Sequence, residues 1–113
     1  MSSIKLEGFK SGNAFVVKLK GRLDSLGAPE FDKKCEEWND QGENNLILDF
    51  KELDYISSMG LRSMLVLGKR IKSRNGKVFL CNLNEMVGGV FKISGFSTIF
   101  TIYDGLGQAL EQM

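Results

Sequence analysis

Leu46-Ile47-Leu48 is a short continuous apolar run that closes at Asp49-Phe50. Such a run marks a strand covered on both faces, at the centre of a sheet. After a connection through Asp54-Tyr55-Ile56 comes the longest helical pattern in the chain, from Ser57 or Ser58 to Arg74. Leu61, Met64, Leu65, Gly68 and Ile71 fall on one face of it, while Arg62, Lys69 and Lys72 reach solvent. Asn75-Gly76 supplies a left-handed stop, and Val78 to Leu83 reads as a second buried strand. A buried strand, a long helix and another buried strand form a β-α-β unit, which calls for a right-handed crossover and a parallel sheet.

Upstream of this unit, Ile4 to Phe9 alternates weakly and meets turn chemistry at Lys10-Ser11-Gly12-Asn13. Ala14 to Leu23 then places Phe15, Val17 and Leu19 on one side and Lys18 and Lys20 on the other, as in a half-buried strand. The pair predicts an antiparallel hairpin, with a bend or close backbone approach at Gly21. Pro29 and Glu30 open a helix whose Phe31, Cys35 and Trp38 recur at core spacing, and Gly42 lies just past its end. Downstream, Asn84 caps a short helix that ends near Gly95 and is weakened by Gly88-Gly89. Ile99 to Tyr103 is a last short strand and Leu106 to Gln112 a closing helix. The order ββαβαβαβα predicts one α/β domain over residues 1–113, mostly parallel with an N-terminal antiparallel hairpin.

Composition narrows the chemistry. The chain has 113 residues, 15 Lys+Arg against 14 Asp+Glu, two cysteines, one proline and no histidine. Its length suits one domain with a real core, and an apolar share of 42% argues against disorder. A net charge of +1 gives no electrostatic case for nucleic acid or an anionic membrane. Without histidine there is no imidazole base, histidine metal ligand or Ser-His nucleophile. No apolar run exceeds four residues, so membrane insertion is not expected. Met1-Ser2-Ser3-Ile4-Lys5 has no apolar core of a signal peptide, which predicts a cytoplasmic protein. Cys35 and Cys81 read as small buried hydrophobes, with a single disulfide as the alternative.

Most candidate motifs dissolve on inspection. Gly68-Lys69-Arg70 lacks the upstream glycine of a phosphate loop, since Ser63 stands there. Gly105-Leu106-Gly107 lacks a third glycine. The basic group Lys69, Arg70, Lys72, Arg74 and Lys77 complements a helix dipole, and Met59 and Met64 at helical spacing suit a core. Asp24, Asp49 and Asp54 stand near strand ends, and their spacing reads as solvated loop acids rather than a metal site. No catalytic residue, metal or cofactor is expected. What remains is Ile56-Ser57-Ser58-Met59-Gly60-Leu61. A serine at a helix start is an N-cap worth about 1 kcal/mol, but here there are two serines and no Glu or Gln to complete a capping box. Gly60 sacrifices about 1 kcal/mol of helix propensity, which suits a close approach by another protein's backbone. An exposed hydroxyl at this helix start would also accept phosphate well.

At these residues the chain resembles the STAS domain family, and within it the small bacterial anti-sigma factor antagonists. The resemblance spans nearly the whole length. It is carried by Leu48-Asp49-Phe50 followed by Tyr55-Ile56-Ser57-Ser58-Met59-Gly60-Leu61-Arg62, by Gly21-Arg22-Leu23-Asp24, by Leu80-Cys81-Asn82-Leu83-Asn84, and by Phe91-Lys92-Ile93-Ser94-Gly95-Phe96. It implies a non-enzymatic partner switch that controls transcription indirectly. The unmodified antagonist binds an anti-sigma factor that is also a serine kinase, phosphorylation ejects it, and a metal-dependent phosphatase resets it. Carried over by position, the phosphoacceptor is Ser58, with Ser57 as the rival where many relatives have aspartate. Met59 stands where a smaller residue is usual, and Asp24 matches an acid close to the acceptor. Asp24, Ser57, Met59, Gly60 and Leu61 are the expected partner-binding residues. Met59 then presents a soft apolar contact. The alternative the resemblance carries is an accessory subunit of a lipid-transporting ABC system.

Overall fold

The computed structural model describes residues 3–113. Among them, the elements run β1 (Ile4–Ser11), β2 (Ala14–Leu23), α1 (Ala28–Asp40), β3 (Asn45–Ile56), α2 (Ser58–Ser73), β4 (Lys77–Cys81), α3 (Glu85–Ile93), β5 (Thr101–Tyr103) and α4 (Leu106–Gln112). A 3-10 turn at Phe96–Thr98 precedes β5. The strands lie in the sheet in sequence order. β1 is antiparallel to β2, and β2 through β5 are parallel. The expected α/β order and hairpin are therefore both present.

Alternation along β2 sorts the molecule into two apolar layers. Phe15, Val17 and Leu19 join Phe31, Cys35, Leu48, Met64, Leu67, Ile71, Val87 and Phe91 in the main core, beneath α1, α2 and α3. Ala14 and Val16 point the other way and pack with Ile47, Cys81 and Ala109 under α4. Gly21 has φ 104°, and a Cβ there would stand 2.5 Å from the Ser3 carbonyl oxygen, so the expected bend and close approach coincide. At the end of α2, Asn75 takes the left-handed conformation (φ 59°). The Gly76 N–H then closes on the Ile71 carbonyl at 2.9 Å, the six-to-one bond of a Schellman stop.

Four details depart from the sequence reading. β4 stops at Cys81 rather than Leu83, because Asn82 takes the left-handed conformation (φ 59°). β3 does not end at Asp49-Phe50 but continues to Ile56. Its pairing with β2 shifts register twice, between Lys18 and Lys20 and between Gly21 and Arg22. The first of these shifts puts Lys51 and Glu52 successively in solvent before Leu53 returns to the core, breaking the alternation that signals a strand. The buried stripe of α2 is Gly60, Ser63, Met64, Leu67 and Ile71, with Leu61, Leu65 and Gly68 only half-buried. β5 is shorter than Ile99 to Tyr103 because Phe100 is buried in the main core, edge-on to Phe91 at 6.2 Å, ahead of the strand.

Candidate functional site

The carboxyl ends of the central parallel strands meet the start of α2. β2 ends at Leu23, whose carbonyl accepts the Ser57 N–H at 3.0 Å. The Ser57 hydroxyl lies 3.5 Å from the same oxygen. Ser57 is the extended N-cap of α2 (φ −98°), and its Oγ accepts the Gly60 N–H at 3.3 Å. The Ser57 hydroxyl is thus committed to holding the helix start against β2. Ser58 is the first helical residue and is exposed. Among the described residues its hydroxyl makes no hydrogen bond. One serine caps; the other is left to solvent.

Met59, beside it, is 48% exposed, which removes it from the core in which its spacing with Met64 placed it. Gly60 corrects the sequence reading. It is buried, and a Cβ there would overlap the Leu23 carbonyl oxygen and stand 2.8 Å from Ile56 Cγ1. The close backbone approach is made by the chain's own β2, not by another protein. Leu61 is half-buried against the main core, so its apolar surface is largely spent within the domain.

Asp24 follows Leu23 directly and is turned into its own loop. Its carboxylate accepts the Ser3 hydroxyl at 2.6 Å, the Gly27 N–H at 2.9 Å and the Leu26 N–H at 3.1 Å. Arg22 Nε lies 3.4 Å away. The Ser3 hydroxyl first, and then the Gly27 N–H, lower its pKa to about 2, because each stabilises the ionised form. No hydrogen bond joins Asp24 to either serine among the described residues. Its local work is to pin the β2–α1 loop.

Of the other acids read from the sequence, Asp54 is exposed as expected but lies within β3 rather than in a loop. Asp49 is not a solvated loop acid: it is buried in β3 and accepts from Asn82 Nδ2 at 2.9 Å and from the Lys51 N–H at 3.0 Å. Burial raises the neighbouring Cys81 thiol to about 12, with the Asp49 charge adding to it. Burial likewise raises Cys35 to about 12. Both thiols are free and protonated at neutral pH, as small hydrophobes should be. Among the described residues no group of three or more Cys, Asp or Glu side chains could hold a metal. No helix among them is long and apolar enough to cross a membrane.

Sequence reasoning overlooked Leu26 in the Asp24–Gly27 turn and Met86 in the first turn of α3, which are 70% and 63% exposed. The available signal was an apolar residue within turn chemistry and another directly after the Asn84-Glu85 helix start. Leu26 lies just ahead of α1 and Met86 in α3, and both helices, like α2, follow the carboxyl end of a parallel strand, so these residues stand at the same end of the sheet as Ser58.

An exposed serine thus opens the crossover helix of a five-stranded mixed sheet. The STAS domain family profile matches residues 7–109, and the chain belongs to that family. It is 36% identical over 99 residues to BtrV of Bordetella bronchiseptica, named as a candidate anti-sigma factor antagonist; the match covers 88% of this chain and 85% of BtrV. Its fold superposes on that of an anti-sigma factor antagonist from Mycobacterium paratuberculosis with a TM-score of 0.88, at 18% identity, covering 99% of this chain and 97% of the other. The Bacillus cell fate determinant SpoIIAA in its phosphorylated form gives a TM-score of 0.73 at 22% identity, covering 96% and 97% of the two chains.

Proposed function

We propose that this chain is an anti-sigma factor antagonist that switches partners through phosphorylation of Ser58. The observation that carries this reading is the division of labour between the serines: Ser57 takes the capping bonds, which leaves the Ser58 hydroxyl exposed and unbonded at the first helical position. The names of BtrV and SpoIIAA support the same reading. Unmodified, the chain binds an anti-sigma factor that is also a serine kinase, with Met59 and Leu26 as exposed apolar contacts.

In the modifying step the Ser58 Oγ attacks the γ-phosphorus of ATP. An O–P bond forms, the bond to ADP breaks, and the hydroxyl proton passes to a base of the kinase. A metal-dependent phosphatase reverses the modification with water, releasing inorganic phosphate. The phosphate adds about −1.5 to −2 charges at a helix start whose first turn contains no acid, so the domain itself accepts it. The penalty falls on the interface, where a dianion must be desolvated against an apolar or acidic surface. Local charge is sufficient, and no rearrangement of the sheet is needed.

The test is incubation of the purified chain with ATP and the anti-sigma kinase, followed by intact-mass and fragment spectra. One phosphate on Ser58 is expected. It persists in Ser57→Ala and vanishes in Ser58→Ala. Transfer to Ser57, or none to either serine, contradicts the reading.

A further inference from the structure

From Ser58 to Gly68, Arg62 is the one charged side chain of α2. It is exposed and joins none of the ion pairs found among the described residues. It stands four positions after Ser58, which places the two on one face of the helix with Cβ atoms about 6 Å apart. Long helical side chains lean toward the helix N-terminus, so an arginine here extends over the turn that carries Ser58. Other cations are badly placed to compete. Arg22, at the end of β2, is held by Asp24 at 3.4 Å and lies over the Tyr55 ring at 4.5 Å. Lys69 is seven residues further along α2, about 10 Å on by helical rise.

We infer that the phosphate on Ser58 is held by Arg62 in an intrahelical pair. The inference rests on Ser58 being the phosphoacceptor. The guanidinium offers two parallel N–H donors to two phosphate oxygens, a geometry an ammonium lacks. Modification then changes the surface twice over. It adds an anion beside Met59, and it withdraws the cation that the unmodified face presents to solvent. A partner whose acid meets Arg62 before modification meets a neutralised guanidinium afterwards. The same pair ties the phosphate down on the first turn, so α2 tightens while the rest of the domain is unchanged.

The test uses the whole chain with phosphoserine inserted at position 58 during translation, which requires no kinase. Four proteins form a cycle: serine or phosphoserine at 58, each with Arg62 or with Arg62→Gln. At low salt, phosphorylation should raise Tm by roughly 2–4 °C more in the Arg62 background than in Arg62→Gln. That excess should shrink in 1 M salt, and Arg62→Lys should keep only part of it. The phosphorus resonance of the phosphoserine should also shift on Arg62→Gln. Equal Tm shifts in both backgrounds, together with an unmoved phosphorus resonance, would overturn the pair. Because no kinase is involved, the cycle reads the pair independently of which serine a kinase modifies.

Discussion

At the scale of single residues, Gly60 and Gly89 are both helical glycines, and bare propensity would treat them alike. Their surroundings oppose each other. A Cβ at Gly60 meets the Leu23 carbonyl and the Ile56 side chain, whereas nothing lies within 4 Å of one at Gly89. Gly60→Ala should therefore destabilise by about 1–3 kcal/mol through overpacking, despite alanine's better propensity. Gly89→Ala should stabilise by about 0.5–1 kcal/mol. Urea denaturation of the two variants reads the difference, and a gain in both would mean that α2 can move off β2.

Asp24 gives a pH signature at the same scale. Its folded pKa of about 2 lies below the ordinary value of 3.8, so the carboxylate stabilises the fold above that ordinary value. The contribution is lost as pH falls through the folded value. The Tm difference between the natural chain and Asp24→Asn should be complete at pH 5, decline between about pH 4 and pH 2, and vanish below that window. A difference constant from pH 5 to pH 2 would show that the loop is not held by the ionised form.

Among elements, α2 separates its two serines by energy. Ser57→Ala removes the N-cap and should cost about 1 kcal/mol. Ser58→Ala removes an exposed, unbonded hydroxyl and should change stability by less than about 0.5 kcal/mol. Equilibrium unfolding of both variants checks this, and equal losses would contradict the assignment of the cap. β3 marks the limit of pattern reading at this scale. Leu46-Ile47-Leu48 announces the strand, but the two register shifts against β2 interrupt the period of two beyond Phe50. The last part of β3 therefore resembled a loop. Helix limits were more legible, because Pro29, Asn84, Asn75 and Gly95 are local signals whose physics requires no knowledge of the partner strand. The left-handed conformations of Asn75 and Gly95 agree with that reading.

For the molecule as a whole, the alternation of buried strands with amphipathic helices made the sheet legible, because crossover handedness leaves few topologies. The site was legible only in part. Ser57-Ser58 stood out as a helix start with one serine too many. Which serine capped the helix depended on the Leu23 carbonyl, 34 residues upstream, and no local pattern contains it. Gly60 was misread for the same reason, since its neighbour is distant in sequence. The exposed apolar residues Leu26 and Met86 share the Ser58 end of the sheet only through the common direction of the parallel strands.

The proposed switch requires that the domain tolerate a phosphate which its partner rejects. Binding of the anti-sigma kinase to the natural chain and to the chain with phosphoserine at position 58 should be compared by titration calorimetry, with circular dichroism of both forms alongside. The expected result is an unchanged fold and an affinity at least about a hundredfold lower for the phosphorylated chain, or roughly 3 kcal/mol. Equal affinity of the two forms would contradict the switch.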